Sequence, residues 1–124
     1  MILLKSFTKL KLNKEFRRVY GRGKSFVHPA VVTYVVGSRY EGCRIGITTS
    51  KKMGCAVERN RARRVITAAF RECLPDIAKN CDIVFVARAR ILKFKSTQIA
   101  QVIKNHLIQA GVCDTDEENS NSNN

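Results

Sequence analysis

Acidic side chains are scarce in this chain and unevenly spread. There are 10 Asp and Glu against 23 Lys and Arg in 124 residues, a net charge of +13. Four of the acids, Asp114, Asp116, Glu117 and Glu118, sit in the last eleven residues, so residues 1–113 hold 23 bases against 6 acids, a net of +17. Those six are scattered singly, which argues against a cluster of acids holding magnesium. Histidine is limited to His28 and His106, and none of the five cysteines forms a C-x-x-C pair, so no zinc site is expected. The cysteines read as reduced, mostly buried small hydrophobes of a cytosolic protein. Long apolar runs are also missing. No stretch of 18 exists, and Lys5, Lys9 and Lys11 break up the start of the chain. Neither a membrane span nor an export signal is expected, and the localisation reads as cytoplasmic. No G-x-S-x-G or P-loop pattern occurs, and Gly21-Arg22-Gly23 is a turn with no GK[ST] following. No catalytic residue, metal site or bound cofactor is assigned to the chain itself.

What is present suffices for one folded domain. Hydrophobic residues make up 44% and mean hydropathy is -0.19, outside the range of disordered chains. Residues 1–113 read as a single RNA-binding domain, and residues 114–124, with no apolar side chain to bury, as a disordered acidic and polar tail. A body of net +17 repels itself unless a polyanion neutralises it, and nucleic acid is the leading candidate because each neutralised phosphate releases counterions. An anionic membrane would call for a greasy amphipathic helix or a lipidation signal, and neither is seen, so no membrane partner is expected.

Periodicity places the elements. Asn13 reads as the N-cap of a short helix with Phe16, Val19 and Tyr20 on one face, closed by Gly21 and Gly23. Residues 26–36 are β-branched, and Pro29 splits them into a short strand and a longer one over about 30–36. Cys43–Thr49 reads as a second long strand and Ser50–Cys55 as a basic loop. A helix is predicted over 56–73, its apolar positions Ala62, Val65, Ile66, Ala69, Phe70 and Cys73 spaced as a stripe packed on a sheet. Pro75 stops it. Residues 82–89 read as a central strand and 97–109 as a last helix presenting Ile99, Val102, Ile103 and His106. The result is an α+β domain of order αβββαβα with one sheet of at most four strands, a two-layer sandwich.

On a helical wheel of residues 56–73, Asn60, Arg61, Arg63, Arg64, Thr67 and Arg71 fall opposite the apolar stripe. Arg59 lies at its edge and leans to solvent. Arginine offers a planar fork to two phosphate oxygens and stacks on bases, where lysine is a point charge. Lys51 and Lys52 stand just before the helix N-terminus, an anion-friendly end. Phe16, Tyr20 and Tyr34 have two readings. Their spacing is that of core residues. With Arg17, Arg18, Arg22 and Lys24 beside them, they also suit a stacking platform for single-stranded bases. A ribosome-associated protein docking its arginine helix on structured rRNA fits the same composition.

The run Arg44-Ile-Gly-Ile-Thr-Thr-Ser-Lys-Lys-Met-Gly-Cys-Ala-Val-Glu-Arg-Asn-Arg-Ala-Arg-Arg-Val-Ile resembles the signature of the bacterial ribonuclease P protein subunit. Leu10–Ser25 is similar to that family's N-terminal helix, and the resemblance extends over about residues 8–109. It implies a left-handed βαβ crossover around the arginine helix, against the usual right-handed rule. It further implies a non-catalytic subunit of a ribonucleoprotein endoribonuclease that trims the 5′ leader of precursor tRNA. The RNA subunit would perform the Mg2+-dependent hydrolysis, and no protein partner would be required. By this resemblance Arg59, Asn60, Arg61, Arg63 and Arg64, with Lys51 and Lys52, contact the catalytic RNA. Phe16, Tyr20 and Tyr34, with Arg17 and Lys24, line a cleft for the single-stranded leader. Two positions depart from the family pattern, Cys55 where Asn is usual and Thr67 where Arg is common.

Overall fold

The computed structural model describes residues 7–113, so the acidic tail lies outside the described residues. The elements are β1 (Thr8–Lys9), α1 (Asn13–Arg22), β2 (Lys24–Val27), β3 (Val31–Gly37), β4 (Cys43–Thr49), α2 (Ala56–Cys73), β5 (Cys81–Ala87) and α3 (Ser96–Gln109), with 3-10 turns at Leu74–Asp76 and Ala89–Lys93. The fold is α+β, with one mixed sheet of order β1-β4-β5-β3-β2. β4 runs parallel to β1 and β5, while β3 is antiparallel to β5 and β2.

Three expectations need correction. The sheet has five strands rather than four, because β1 precedes the first helix. Two exposed residues, one of them lysine, carry no readable period. The sheet also has helices on both faces, three layers in place of two. Finally, α1 starts at Asn13 with Leu12 as its N-cap. The helix end is satisfied by Glu15, whose Oε1 accepts from the backbone N–H groups of Lys11 and Leu12, both at 2.9 Å, the return half of a capping box.

The two-residue period of the strands sorts the layers. Val31, Val35, Ile45, Ile83 and Phe85 face α2 and α3, packing with Ile66, Phe70, Ile99 and Ile103 into the main core. Tyr34, Val36, Val84 and Val86 face the other way, where Val19, Phe16 and Leu10 join them. Thr33, buried on the main-core side, meets the ring Nδ1 of buried His106 at 2.8 Å. Burial pushes the His106 pKa down, which favours the neutral ring. Cys43, Cys73, Cys81 and Cys113 are buried free thiols and Cys55 is exposed. Burial pushes the Cys73 thiol up to about 12, so it stays protonated and acts as a small hydrophobe.

One charged cluster pins α1 to the sheet. Asp82, 1% exposed on β5, accepts from Arg44 at 2.9 and 2.7 Å and from Arg18 at 3.0 Å. Arg44 also reaches Glu15 at 2.9 Å, and Arg18 donates to the Gly37 carbonyl at 3.1 Å. Hydrogen bonding to Asp82 raises the Arg44 pKa further. Every oxygen of the buried carboxylate is thus held, the condition for burying a charge at tolerable cost. Gly23 lets α1 turn tightly into β2, since a Cβ there would lie 2.5 Å from the Val19 carbonyl oxygen and 2.9 Å from that of Val35.

Candidate nucleic-acid interface

α2 sits between the parallel strands β4 and β5. Its buried residues are Ala62, Ile66, Ala69, Phe70 and Cys73, which turns Asn60, Arg61, Arg63, Arg64 and Arg71 outward, all exposed. Among the described residues no acid pairs with Arg61, Arg63 or Arg64. Three fork-shaped donors thus stand on one rigid helix with their charge unneutralised, an arrangement suited to phosphates. Arg71 lies over the Phe7 ring at 5.3 Å.

Arg59 is placed differently from its neighbours. It folds back, donating from Nε to the Met53 carbonyl at 3.1 Å and from Nη2 to that of Gly54 at 3.4 Å. It therefore ties the basic loop to the first turn of α2, while buried Met53 anchors the loop from below. Lys51 and Lys52 are exposed on that loop, and the Lys52 amide donates to Ser50 Oγ at 3.2 Å. Cys55 occupies the N-cap of α2 and makes no side-chain capping bond, so the helix keeps free N–H groups beside the two lysines.

On the other face of the sheet, α1 packs Val19 against Val84 and leaves Tyr34, Val36 and Val86 only partly buried. Phe16 is seated on Gly46, where a Cβ would run into its ring. Tyr20 and Tyr34 meet edge to face, centroids 4.9 Å apart and planes at 88°, and the Tyr20 hydroxyl lies 3.4 Å from Thr48 Oγ1. Tyr20 is 39% exposed, whereas Phe16 and Tyr34 are half-buried. Phe16, Tyr20 and Arg17 line one concavity with Asn13 and Thr48. The structure thus brings these three aromatics and Arg17 to one side of α1. It does not bring Lys24 there. Lys24 stands opposite Val35 in the ladder, so its side chain takes the main-core face of the sheet, and Ser25 is the neighbour of Tyr34.

Two basic groups were not assigned from sequence. Arg88 and Arg90, just past β5, share a cleft of about 490 Å³ with Lys52 and exposed Val27. They extend the aromatic side of the sheet with positive charge. On the far side of α1, Lys14, Arg22 and Arg39 surround Arg44, over whose guanidinium the Tyr40 ring lies at 4.4 Å. Both groups join residues from distant segments, which the chain order does not bring together. Among the described residues no three His, Cys, Asp or Glu side chains come together as a metal site, and no helix is long and apolar enough to cross a membrane.

The chain is similar to known proteins over nearly all of the described residues. A family model described as Ribonuclease P matches residues 4–111. The ribonuclease P protein component of Clostridium botulinum strain 657 is 39% identical over 105 residues, covering 84% of this chain and 95% of that protein. That of Clostridioides difficile strain 630 is 40% identical over 97 residues, covering 77% and 85%. Among solved structures, the RNase P protein of Staphylococcus aureus superposes with a TM-score of 0.74 at 31% identity, covering 86% of this chain and 97% of that one. The RNase P protein of Thermotoga maritima gives 0.70 at 25% identity, covering 80% and 94%.

Proposed function

The chain belongs to the ribonuclease P protein family, and on that premise we propose that it is the RNA-binding subunit of a cytoplasmic ribonucleoprotein endoribonuclease that removes the 5′ leader of precursor tRNA. The observation that carries this reading is the pairing of two unlike surfaces on one sheet. The outer face of α2 offers arginine forks without acids, which suits a large folded RNA with closely spaced phosphates. The far face of the sheet offers Phe16, Tyr20 and Tyr34, with Arg17 beside them, which suits unpaired bases. On this reading Asn60, Arg61, Arg63, Arg64, Lys51 and Lys52 contact the catalytic RNA. Arg59 acts mainly by holding the Ser50–Gly54 loop in place. The leader lies over the aromatics and continues toward Lys52, Arg88 and Arg90.

The chain supplies charge neutralisation and grip, and the bond-breaking step belongs to the RNA. Magnesium is used there. The acids nearest the cleft, Glu15 and Asp82, are taken up by arginines and backbone amides and do not fit a metal. The crossover from β4 through α2 to β5 goes with this reading as the left-handed form implied by the family, and no protein partner is required.

The test is cleavage of a precursor tRNA by a bacterial ribonuclease P RNA at low magnesium, with and without this chain. Stimulation that depends on the 5′ leader is expected. Absence of stimulation, with tight binding to ribosomal RNA fragments instead, would replace this reading with that of a ribosome-associated protein.

A further inference from the structure

β4 has an open edge between the two surfaces. β1 pairs with it only at Arg44 and Ile45, and the last bond on that side is Leu10 N–H to the Ile45 carbonyl at 2.8 Å. Backbone groups alternate along a strand, so the N–H and C=O of Ile47, two residues on, point out of the same edge. The chain has already left for α1, and among the described residues no backbone group pairs with them. A groove of about 190 Å³ lies there. Its floor is the β4 edge at Ile45–Ile47, its upper wall is the Phe16 ring, and its lower wall is Lys9, Arg63 and Thr67. The lower wall continues along α2 into Arg64 and Arg71.

The geometry points to this groove as a pocket for one unstacked nucleobase of the catalytic RNA. The inference rests on the RNA-binding reading above. An edge N–H beside an edge C=O matches the adjacent acceptor and donor on the Watson–Crick face of a base, and leaving such backbone groups unpaired is costly once water is excluded. A flat ring entering in the plane of the sheet fits between an aromatic ring above and a helix below. Its phosphate would stay outside, near Lys9 and Arg63, where the charge is of the right sign. The catalytic RNA, rather than the leader, is the source, because the lower wall is the margin of the arginine face of α2. The groove stays open because Thr67 is short. A long side chain at this position would reach into it.

Base-modification interference tests this. The ribonuclease P RNA is sparsely modified on Watson–Crick faces, with dimethyl sulfate for adenine and cytosine and a carbodiimide for guanine and uracil. It is then partitioned by binding to the full-length chain. One single-stranded nucleotide is expected at which modification weakens binding by about tenfold or more, the scale of one lost base contact. Thr67→Arg, which fills the groove from the half-buried margin of α2, should erase interference at that nucleotide alone. Thr67→Leu should erase it without the added charge. Identical interference patterns for wild type and both variants would overturn the pocket while leaving the RNA-binding reading intact, and so would a pattern with no single-stranded position. Failure of the unmodified RNA to bind at all would overturn the reading beneath it.

Discussion

Arginine is put to two opposite uses in this molecule. On the outer face of α2, Arg61, Arg63 and Arg64 stand exposed and form no ion pair among the described residues. Under α1, Arg18 and Arg44 converge on one buried carboxylate, Asp82, and Arg44 also reaches Glu15. The second set is structural, since its charge is spent inside the fold on fixing a helix to a sheet. The first set keeps its charge at the cost of self-repulsion, which is relieved when a polyanion docks. The same residue type thus reads as architecture or as interface according to where its acids lie.

Four variants would sharpen or break that contrast. The largest effect is expected for Asp82→Ala. It leaves two arginines converging on an empty site, one of them half-buried. A stability loss of about 3 kcal/mol in urea unfolding is expected, the lower end for a broken buried pair because Arg18 is partly solvated. A loss below about 1 kcal/mol would mean that the cluster does not hold α1. Next comes Tyr20→Ala, which removes a partly exposed ring. Affinity for a leader-bearing precursor tRNA should fall about tenfold while the midpoint of unfolding hardly moves. Unfolding in its place would assign Tyr20 to the core. Arg61→Ala with Arg64→Ala should lower the slope of log affinity against log salt for the catalytic RNA by about two. An unchanged slope would remove these two arginines from the interface.

The smallest effect concerns acid. Glu15 is held below the ordinary carboxylate range by the N–H groups of Leu12 and Lys11, with Arg44 adding to it. A lowered carboxylate stabilises the fold fully above its unfolded pKa, and the gain is lost as pH falls through the folded value. Wild type should therefore weaken on acidification below about pH 4, and Glu15→Gln should show a shallower fall in the same window. Parallel curves would show that this cap contributes nothing.

Much of this was legible in the chain order, for identifiable reasons. α2 was bounded at 56 and 73 by its apolar stripe and by Pro75, and β4 at Cys43 and Thr49 by alternation. The arginine face followed from the same wheel. Features that depend on distant pairing were not legible. β1 is too short to have a period and exists only because β4 offers an edge. Asn13 has the right chemistry for an N-cap, but Glu15 reaches back and shifts the cap to Leu12. Lys24 sits next to the aromatics in sequence, yet the ladder register turns it to the opposite face. Arg59 looked solvent-directed, and the carbonyls of Met53 and Gly54 draw it back. Arg88 and Arg90 reach Lys52 only through the fold.

The division of labour between the two surfaces is the central claim, and leader-dependent affinity tests it most directly. The holoenzyme is reconstituted with wild-type chain, with Tyr20→Ala, or with Arg61→Ala and Arg64→Ala, each at saturating protein. Dissociation constants are then measured for precursor tRNA with and without its 5′ leader. The ratio of the two should collapse toward one for Tyr20→Ala and remain at the wild-type value for the arginine pair. A ratio that falls equally in both variants, or in neither, would contradict the assignment of the leader to the aromatic side and the catalytic RNA to α2.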